Sequence, residues 1–387
     1  MSVSTASTTD QKPIILDFSR SELEREVVDV LGQSKFRAKQ IWQGLHRECL
    51  LDFELVTTLP KGLREELARR YTANPLEKVM HLTSADGSTD KALFRLADGE
   101  LVETVLMRYA ADSHRKARKT VCVSTQAGCA LGCTFCATGQ QGFRRQLTTG
   151  EIVAQIIFMQ RIALAEDRSE VEEGAREIGS VQGVTNVVFM GMGEPLANYE
   201  NTMSAIRSIN DANGLAVGAR HITLSTVGLA PQIVRLAREN IQINLAVSLH
   251  APDDATRSQT MPINRRYPIS VLLDACRRYV EMTDRRIFFE YVLLQDQNDR
   301  VRHARRLGEL LSGMLCHVNL IPVNPTAGGP YRRTSRAEAE RFQLELRRYG
   351  VPSTVRIEKG IDIDAGCGQL RARVVDADAL LKDVIPA

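Results

Sequence analysis

The sequence predicts an α/β protein in which a partial (β/α)6 barrel follows a small N-terminal helical domain and a short β-meander. From Thr120 onward, short segments rich in Val, Ile and Leu alternate six times with longer amphipathic segments. This is the pattern of parallel strands that are buried on both faces and connected by helices. With 387 residues, the chain is long enough for one such domain and a smaller appendage.

The N-terminal domain is predicted over residues 1–75 and contains three helical segments. Ser19 or Ser21 can cap the first helix, and Pro60 precedes the third. Between them, the segment SKFRAKQIWQGLHRE has apolar residues at helical spacing. The apolar stripe expected on this second helix consists of Phe36, Ile41, Trp42 and Leu45.

Basic residues are frequent in this N-terminal domain. They could form the solvated side of amphipathic helices, which is the usual role of such charges, or they could grip phosphate groups. The segment taken alone favours the solvated side. The residues are Lys35, Arg37, Lys39, Arg47, Lys61, Arg64, Arg69 and Arg70.

Residues 76–119 are predicted to form the meander and a basic linker. Three alternating segments begin near Val79, Ala92 and Leu101, and Gly-containing turns separate them. Glu103 lies within the third strand, where an acid between β-formers can simply point to solvent. The densest basic run of the chain follows, with His114, Arg115, Lys116, Arg118 and Lys119.

The barrel is predicted over residues 120–350, and a C-terminal segment covers residues 351–387. The expected strands are 120–125, 186–191, 221–226, 243–250, 286–294 and 317–324. The expected helices begin near Thr149, Glu200, Pro231, Ile269, Val301 and Arg336. The acidic stretch 166–177 is predicted to be a solvated loop or a frayed helix end.

A cluster of three cysteines follows the first barrel strand. Cys129, Cys133 and Cys136 have C-x3-C-x2-C spacing. Cubane iron–sulfur clusters usually take four cysteine ligands, so three would leave one iron open to a substrate. An incomplete zinc knuckle and reactive surface thiols remain alternatives, although the sequence has no second CxxC pair to complete a zinc site. The spacing resembles the signature of the radical S-adenosylmethionine (SAM) superfamily, in which the open iron binds the amino and carboxylate groups of SAM.

Polar residues recur where the predicted barrel strands end, which is the functional end of β/α barrels. The second strand leads into a GMGEP turn, in which glycines allow close backbone approach and an acid can accept from an ammonium group. Each residue alone could belong to an ordinary turn or surface, but together they predict one pocket. These residues are Gly193, Glu194, Ser225, Ser248, Leu249, His250 and Asn324.

Two further cysteines have distinctive positions. Cys122 lies in the first barrel strand, where a buried structural thiol is the simpler interpretation. Cys367 lies in a Gly-Cys-Gly sequence that predicts an accessible sulfur on a mobile loop. Cys49, Cys276 and Cys316 are expected to be structural.

Composition places the chain among ordinary globular proteins, since 43% of its residues are hydrophobic and 25% are charged. The formal net charge of +3 is too small to indicate nucleic-acid binding by itself. The polar N-terminus lacks the apolar core of a secretory signal, and no run of about 18 apolar residues predicts a membrane span. We therefore expect a cytoplasmic protein whose thiols stay reduced.

Several motifs in fixed order resemble the RlmN/Cfr family of radical-SAM RNA methyltransferases. They are VETV around Glu103, VCVSTQAGCALGCTFCATGQQGF, GMGEP, LSTVG, SLHAP, IPVNP and GIDIDAGCGQL. The resemblance spans nearly the whole chain. It is stronger to the dual-specificity branch, which methylates C2 of adenosine in 23S rRNA and tRNA, mainly because of the GQQGF sequence. The alternative branch methylates C8 of the same rRNA adenosine and confers antibiotic resistance.

The resemblance implies a role for each candidate residue. Cys129, Cys133 and Cys136 would hold one 4Fe–4S cluster, and the strand-end residues, including Asn324, would bind SAM. Cys367 would be methylated by a first SAM, and the resulting methyl group would be activated by a radical from a second SAM. It also implies an RNA-binding accessory domain at residues 1–75 and an external electron donor of the flavodoxin type.

The carbon of the Cys367 methyl group would then add to C2 of adenine. Glu103 would accept the C2 proton, and Cys122 would release the product by forming a transient disulfide with Cys367. Radical addition suits this carbon because C2 is electron-poor and has no lone pair with which to attack SAM.

Two other classes of function remain possible at this stage. One is a radical-SAM enzyme that acts on a small molecule or a protein, against which the basic N-terminal domain and the Cys367 loop argue. The other is an iron–sulfur electron carrier or a zinc module that performs no SAM chemistry.

Overall fold

The computed structural model describes residues 11–113, 116–173, 181–324, 330–356 and 359–370. Its N-terminal domain contains helices α1 (Arg20–Arg25), α2 (Lys35–Trp42) and α3 (Lys61–Arg70). Ser19 and Glu22 form a capping box at the start of α1, which fixes where this helix begins. Helices α1 and α2 each continue into a π-helical turn.

The predicted apolar stripe of α2 is correct at three positions and wrong at Phe36. Ile41, Trp42 and Leu45 are buried together with Ala38, whereas Phe36 is 61% exposed. Successive residues turn about 100° around a helix axis, so Phe36 lies roughly 200° from Ala38 and faces away from the core.

Several basic residues of the N-terminal domain are paired with acids of the same domain. Lys35 Nζ lies 2.7 Å from Glu24, and Arg64 Nη1 lies 2.8 Å from Glu54. Lys61, Arg69 and Arg70 form further pairs within α3. These contacts agree with a solvated, internally neutralised helix surface.

The predicted meander consists of β1 (Glu77–Thr83), β2 (Thr89–Arg95) and β3 (Leu101–Tyr109), which pair antiparallel. Gly87 and Gly99 occupy the two turns with positive φ angles, which glycine adopts without strain. Strand β3 then pairs antiparallel with β4 (Arg118–Cys122), the first barrel strand. The meander and the barrel therefore form one ten-stranded sheet.

The six predicted barrel strands are present, and they pair in parallel in chain order. After β4, the chain forms a small hairpin of β5 (Gln126–Gly128) and β6 (Phe143–Gln146), which is a separate two-stranded sheet. The remaining strands are β7 (Asn186–Phe189), β8 (Ile222–Thr226), β9 (Asn244–Ser248), β10 (Ile287–Leu293), β11 (Cys316–Pro322) and the short β12 (Ser353–Val355). This architecture confirms the predicted α/β partial barrel; the hairpin and β12 were not predicted.

Helices cover the barrel sheet and complete its core. The long helix α5 starts with a capping box between Thr148 and Glu151. The helices are α4 (Ala137–Gln140), α5 (Thr149–Glu172), α6 (Tyr199–Asn210), α7 (Ala230–Leu236), α8 (Asp254–Thr260), α9 (Ile269–Thr283), α10 (Val301–Leu311) and α11 (Arg336–Arg348). One cluster of buried hydrophobic residues extends from the N-terminal domain through the meander into the barrel.

The predicted solvated loop or frayed helix end at 166–177 is wrong at Glu166 and Asp167, whereas residues 168–170 and 172 are exposed on the helix. Helix α5 continues to Glu172, and residues 174–177 lie outside the described ranges. Glu166 forms ion pairs with Arg108 and Lys119, and the buried Asp167 lies 2.8 Å from Lys119 Nζ. Cations on the sheet thus neutralise these acids where α5 crosses it.

Within the described ranges, none of the helices combines the length and apolarity needed to cross a bilayer. This agrees with the absence of a predicted membrane span in the sequence.

Candidate active site

The hairpin of β5 and β6 positions the three-cysteine loop at the barrel mouth. Gly128 has a φ of +72°, and a Cβ atom there would lie 1.9 Å from the carbonyl oxygen of Gly142. The next residue, Cys129, donates its backbone N–H to that oxygen at 2.8 Å. Only glycine allows this close crossing of the two strands, which directs the following loop toward the strand ends.

Cys129, Cys133 and Cys136 all line one cavity at the barrel mouth. Burial raises the pKa of Cys129 to about 11 and raises the pKa of Cys133 as well. At neutral pH these thiols therefore hold their protons until a metal displaces them.

The three thiols line one cavity, and cysteine thiolates are the usual protein ligands of iron–sulfur clusters. Among the described residues, no three His, Cys, Asp or Glu side chains are close enough to hold one metal ion. In a cubane cluster each thiolate binds a different iron, so its sulfurs lie farther apart than ligands that share one ion.

The polar residues predicted at the strand ends converge on this same cavity. Its lining includes Gly193, Glu194, Ser225, Ser248, His250 and Asn324, in addition to the three cysteines. The cavity encloses roughly 1000 Å³ of empty space including its open mouth.

Glu194 is fixed by its backbone surroundings and is almost completely buried. Its carboxylate accepts hydrogen bonds from the backbone N–H groups of Leu196 at 3.0 Å and Val227 at 2.8 Å. Burial raises the pKa of Glu194 to about 7, although these hydrogen bonds oppose the shift. A cationic ligand group in the cavity would favour the ionised form.

His250 serves as a neutral donor at this site. Burial lowers its pKa to about 3, and its Nδ1 accepts from the backbone N–H of Val292 at 3.0 Å. The hydrogen of the neutral ring therefore resides on Nε2. The ring meets Phe135 of the cysteine loop edge to face, which links the fourth barrel strand to that loop.

The structure does not place Leu249 on the cavity. Its side chain is fully buried in the core. Its backbone N–H donates to Glu290, and its carbonyl accepts from Arg257. Leu249 therefore maintains the turn between Ser248 and His250, and its side chain lies away from the cavity.

Two buried oxygen atoms in the cavity lack hydrogen bonds among the described residues. They are Oδ1 of Asn324 and Oε2 of Glu290. The nearest cation to the latter is Arg356, whose Nη1 lies 3.6 Å away. Because buried polar atoms are rarely left unsatisfied, both atoms are suited to bind a polar ligand.

Sequence reasoning missed Glu290 and Arg356. The only signal for Glu290 is an acid within the apolar sequence FFEYV. Burial raises its pKa, as expected for an acid in such a segment.

Cys367 lies between this cavity, called here the strand-end cavity, and a second one, called here the thiol cavity. The thiol cavity is also lined by Cys122, Tyr109, Met107 and Lys359. Cys367 is exposed, whereas burial raises the pKa of Cys122 to about 12. The two thiols thus face one enclosed space, and Cys367 also borders the space next to the cluster cysteines.

Glu103 is buried instead of pointing to solvent, and it does not line either cavity. Its Oε1 lies 3.3 Å from Nζ of Lys91. Side chains alternate along a strand, so Glu103 shares one face of β3 with Met107 and Tyr109, which line the thiol cavity. Glu103 therefore lies behind the cavity wall, on the side of the two thiols.

Arg257 is another residue that the sequence did not single out. It is fully buried and donates to the carbonyls of Val227 at 2.7 Å, Ser248 at 3.0 Å and Leu249 at 3.1 Å. Burial lowers its pKa to about 10, so it remains a cation at neutral pH. One guanidinium thus holds the ends of β8 and β9 together beneath the cavity.

Comparisons with known proteins agree with this geometry. A model of the radical SAM superfamily matches residues 123–307. A model described as the ribosomal RNA large subunit methyltransferase N-terminal domain matches residues 15–72. The chain is 48% identical over 396 residues to the probable dual-specificity RNA methyltransferase RlmN of Roseiflexus castenholzii, which covers 94% of this chain and 97% of that protein.

Two further similarities cover most of the chain. The dual-specificity RNA methyltransferase RlmN 1 of Myxococcus xanthus is 50% identical over 347 residues, with 89% of this chain and 90% of that protein covered. The crystal structure of a radical SAM methyltransferase from Sphaerobacter thermophilus matches with a TM-score of 0.85 and 48% identity. It covers 93% of this chain and 100% of that chain.

We predict that Arg257→Met lowers the free energy of unfolding by about 3 kcal/mol or more, because it leaves several buried carbonyls without a donor. Thermal or urea unfolding of the metal-free protein measures this loss. The exposed Arg265→Met variant is the matched control and should unfold like the unchanged protein. Equal stability of the two variants would contradict the assigned role of Arg257.

We also predict that burial of Glu194 makes stability depend on pH. Its pKa is about 7 in the folded protein and near 4.5 when unfolded, so its contribution is complete below pH 4.5 and is lost as pH rises to 7. Glu194→Gln should therefore gain stability relative to the unchanged protein between pH 4.5 and 7, by up to about 3 kcal/mol. Unfolding curves at several pH values test this, and a constant difference would refute it.

Proposed function

The chain belongs to the family of radical SAM RNA methyltransferases that includes RlmN, and we propose that it methylates C2 of adenosine in 23S rRNA and in tRNA. The observation that carries this proposal is the position of Cys367. It borders the strand-end cavity, which the three cluster cysteines line, and it shares the thiol cavity with Cys122. A cysteine at this junction can receive a methyl group on one side and deliver it on the other.

Cys129, Cys133 and Cys136 would hold a 4Fe–4S cluster in the cavity that the strand-end residues also line. When bound, the reduced cluster supplies the electron that cleaves SAM to a 5′-deoxyadenosyl radical. Glu194 would accept from the amino group of SAM, with Gly193 allowing close approach. Ser225, Ser248, His250 and Asn324 would donate to or accept from its ribose, carboxylate and adenine groups.

Cys367 would act first as a nucleophile and take a methyl group from one SAM molecule. After the 5′-deoxyadenosyl radical takes a hydrogen atom from that methyl group, its carbon would bond to C2 of the target adenine, and the adduct would return its unpaired electron to the oxidised cluster. Glu103 would take the C2 proton. Cys122 would attack the sulfur of Cys367, so that an S–S bond replaces the S–C bond, the released carbon takes up a proton, and the methylated adenosine leaves.

The surroundings of Tyr109 support approach of RNA to the thiol cavity. Arg118 lies 4.2 Å from the ring centroid of Tyr109, and Lys359 lies 5.2 Å from it. We propose that these cations bind RNA phosphates beside an unstacked adenosine. Exposed Arg144 and Arg332 are further candidates.

Two other basic residues, Lys119 and Arg145, are engaged elsewhere. Lys119 pairs with Glu166 and Asp167, and Arg145 pairs with Glu151. Arg115 and His114 of the basic linker lie outside the described residues. The RNA interface proposed here therefore relies on the cations around Tyr109 more than on the linker as a whole.

The proposal also includes an external electron donor of the flavodoxin type and a cytoplasmic location. A reducing compartment would keep the thiols free and allow a transient disulfide between Cys122 and Cys367 to be reduced after each turnover.

The decisive experiment is nucleoside mass spectrometry after incubating reconstituted, reduced protein with SAM and with 23S rRNA or tRNA fragments. We expect 2-methyladenosine in both RNAs. Formation of 8-methyladenosine alone would show that the protein has the alternative C8 activity. The absence of any methylated adenosine would contradict the proposed function.

We predict opposite outcomes for the two cysteine variants. Cys122→Ala should accumulate a covalent protein–RNA adduct, because no thiol remains to break the bond to Cys367. Cys367→Ala should form no adduct and no methylated RNA while still binding iron, since this residue is not among the cluster cysteines. Denaturing gels and iron analysis give both readouts.

The buried Cys276→Ala variant is the matched control, because it removes a thiol of α9 that is not among the residues lining either cavity. It should turn over without accumulating adduct. Normal turnover by Cys122→Ala would show that another group releases the product.

A further inference from the structure

Lys91 is a fully buried lysine, which is unusual for this residue type. Its Nζ lies 3.3 Å from Oε1 of Glu103, and the two side chains are each 2% exposed. The same ammonium donates to the backbone carbonyl of Asp364 at 3.4 Å. Lys91 therefore contacts Glu103, the proposed proton acceptor. It also contacts the loop of Cys367, the proposed methyl carrier, at Asp364, three residues before that cysteine.

The strand register explains why Lys91 faces the active site. Lys91 pairs with Val105 across β2 and β3, and Val105 pairs with Cys122 across β3 and β4. Paired residues point to the same face of a sheet, so Lys91 and Cys122 lie in one row. Glu103 is the next residue along β3 on that face.

The meander holds the Cys367 loop at more than one point. The backbone N–H of Ala85 donates to the carboxylate of Asp362 at 2.8 Å. On the other side of the loop, Gly368 accepts from the backbone N–H of Ala137 in the helix that follows the cluster cysteines. Lys91 contacts both the loop, at Asp364, and Glu103, whereas the hydrogen bond of Ala85 joins the meander to Asp362 alone.

We propose that Lys91 is a positioning residue that joins Glu103 to the Cys367 loop, so that proton acceptor and methyl carrier keep a fixed separation during catalysis. This inference rests on the proposed function. Lys91 of β2 would then take part in removal of the C2 proton. Neither the cysteine motif nor the residues at the strand ends indicate such a role for β2.

The electrostatics of the pair support this role. A carboxylate buried at 1% exposure needs a nearby cation, and removing one partner of such a pair leaves an uncompensated charge. When Glu103 takes the C2 proton it becomes a neutral acid, and its ion pair with Lys91 is lost. The positive charge that remains is still held by the carbonyl of Asp364.

The experiment follows three steps separately in the full-length, reconstituted protein. Intact-protein mass spectrometry measures methylation of Cys367, denaturing gels measure the covalent RNA adduct, and nucleoside analysis measures released product. Lys91→Met should methylate Cys367 at close to the normal rate and form the adduct. Product release should fall about 100-fold, the scale of a lost general base, and the adduct should accumulate. Lys91→Arg, which keeps the charge, should recover much of the release.

Asp362→Ala is the matched control, because it removes the contact with Ala85 but not the contact with Glu103. If it disturbs the loop, methylation and adduct formation should decline together, without accumulation of adduct. The same accumulation in Asp362→Ala as in Lys91→Met would overturn the proposal, since any loosening of the loop would then suffice.

A double variant keeps the proposal testable if Lys91→Met folds poorly. Lys91→Met combined with Glu103→Gln removes both charges and should be no slower in release than Glu103→Gln alone. If Lys91→Met slowed product release in the Glu103→Gln protein by the same factor as in the unchanged protein, the proposed role of Lys91 would be wrong. Normal product release by the single variant Lys91→Met would also overturn it. If the unchanged protein forms neither adduct nor product, the proposed function itself fails, and this inference fails with it.

Discussion

The structure depends on holding the Cys367 loop between two parts of the chain that are distant in sequence. On one side, Gly368 accepts a hydrogen bond from Ala137 at 2.8 Å, next to the cluster cysteines. On the other side, Asp362 and Asp364 are bound by the meander. The loop can occupy this position because the meander is part of the same sheet as the barrel. Pairing of β3 with β4 brings Glu103 and Cys122 to one side of the loop.

Buried charges around the two cavities form a site that is prepared before its ligands arrive. Arg257 fixes the strand ends, and Glu194 and Glu290 are carboxyl groups whose pKa values are raised by burial. Such groups reduce stability in the empty protein but interact strongly with ligands, because little water screens them. Lys91 and Glu103 are also buried charged groups, but they form an ion pair in which each neutralises the other. The fold thus holds these polar groups in place at some cost in free energy.

The sequence predicted the parts of the site that depend on local spacing or on topology alone. The three cysteines are close in sequence. The carboxyl ends of parallel strands meet at one edge of the sheet, so the fold class predicted that the polar residues at these ends would lie together. Contacts between distant segments were not predictable. The sequence does not show that Lys91 is buried beside Glu103, because this contact depends on the pairing of β2 with β3. The ion pair of Arg356 with Glu290 likewise joins two segments that are distant in sequence. The error at Glu166 has the same origin, since this residue pairs with cations of the sheet that lie far from it in sequence.

The central claim is that the methyl group reaches RNA by way of Cys367. A single-turnover measurement tests it directly. The protein is first methylated on Cys367 with SAM that carries a deuterated methyl group, then freed of that SAM and given RNA, reductant and unlabelled SAM. We expect the methyladenosine formed in the first turnover to contain deuterium from the protein. An unlabelled methyl group in that first product would show direct transfer from SAM and would contradict the account.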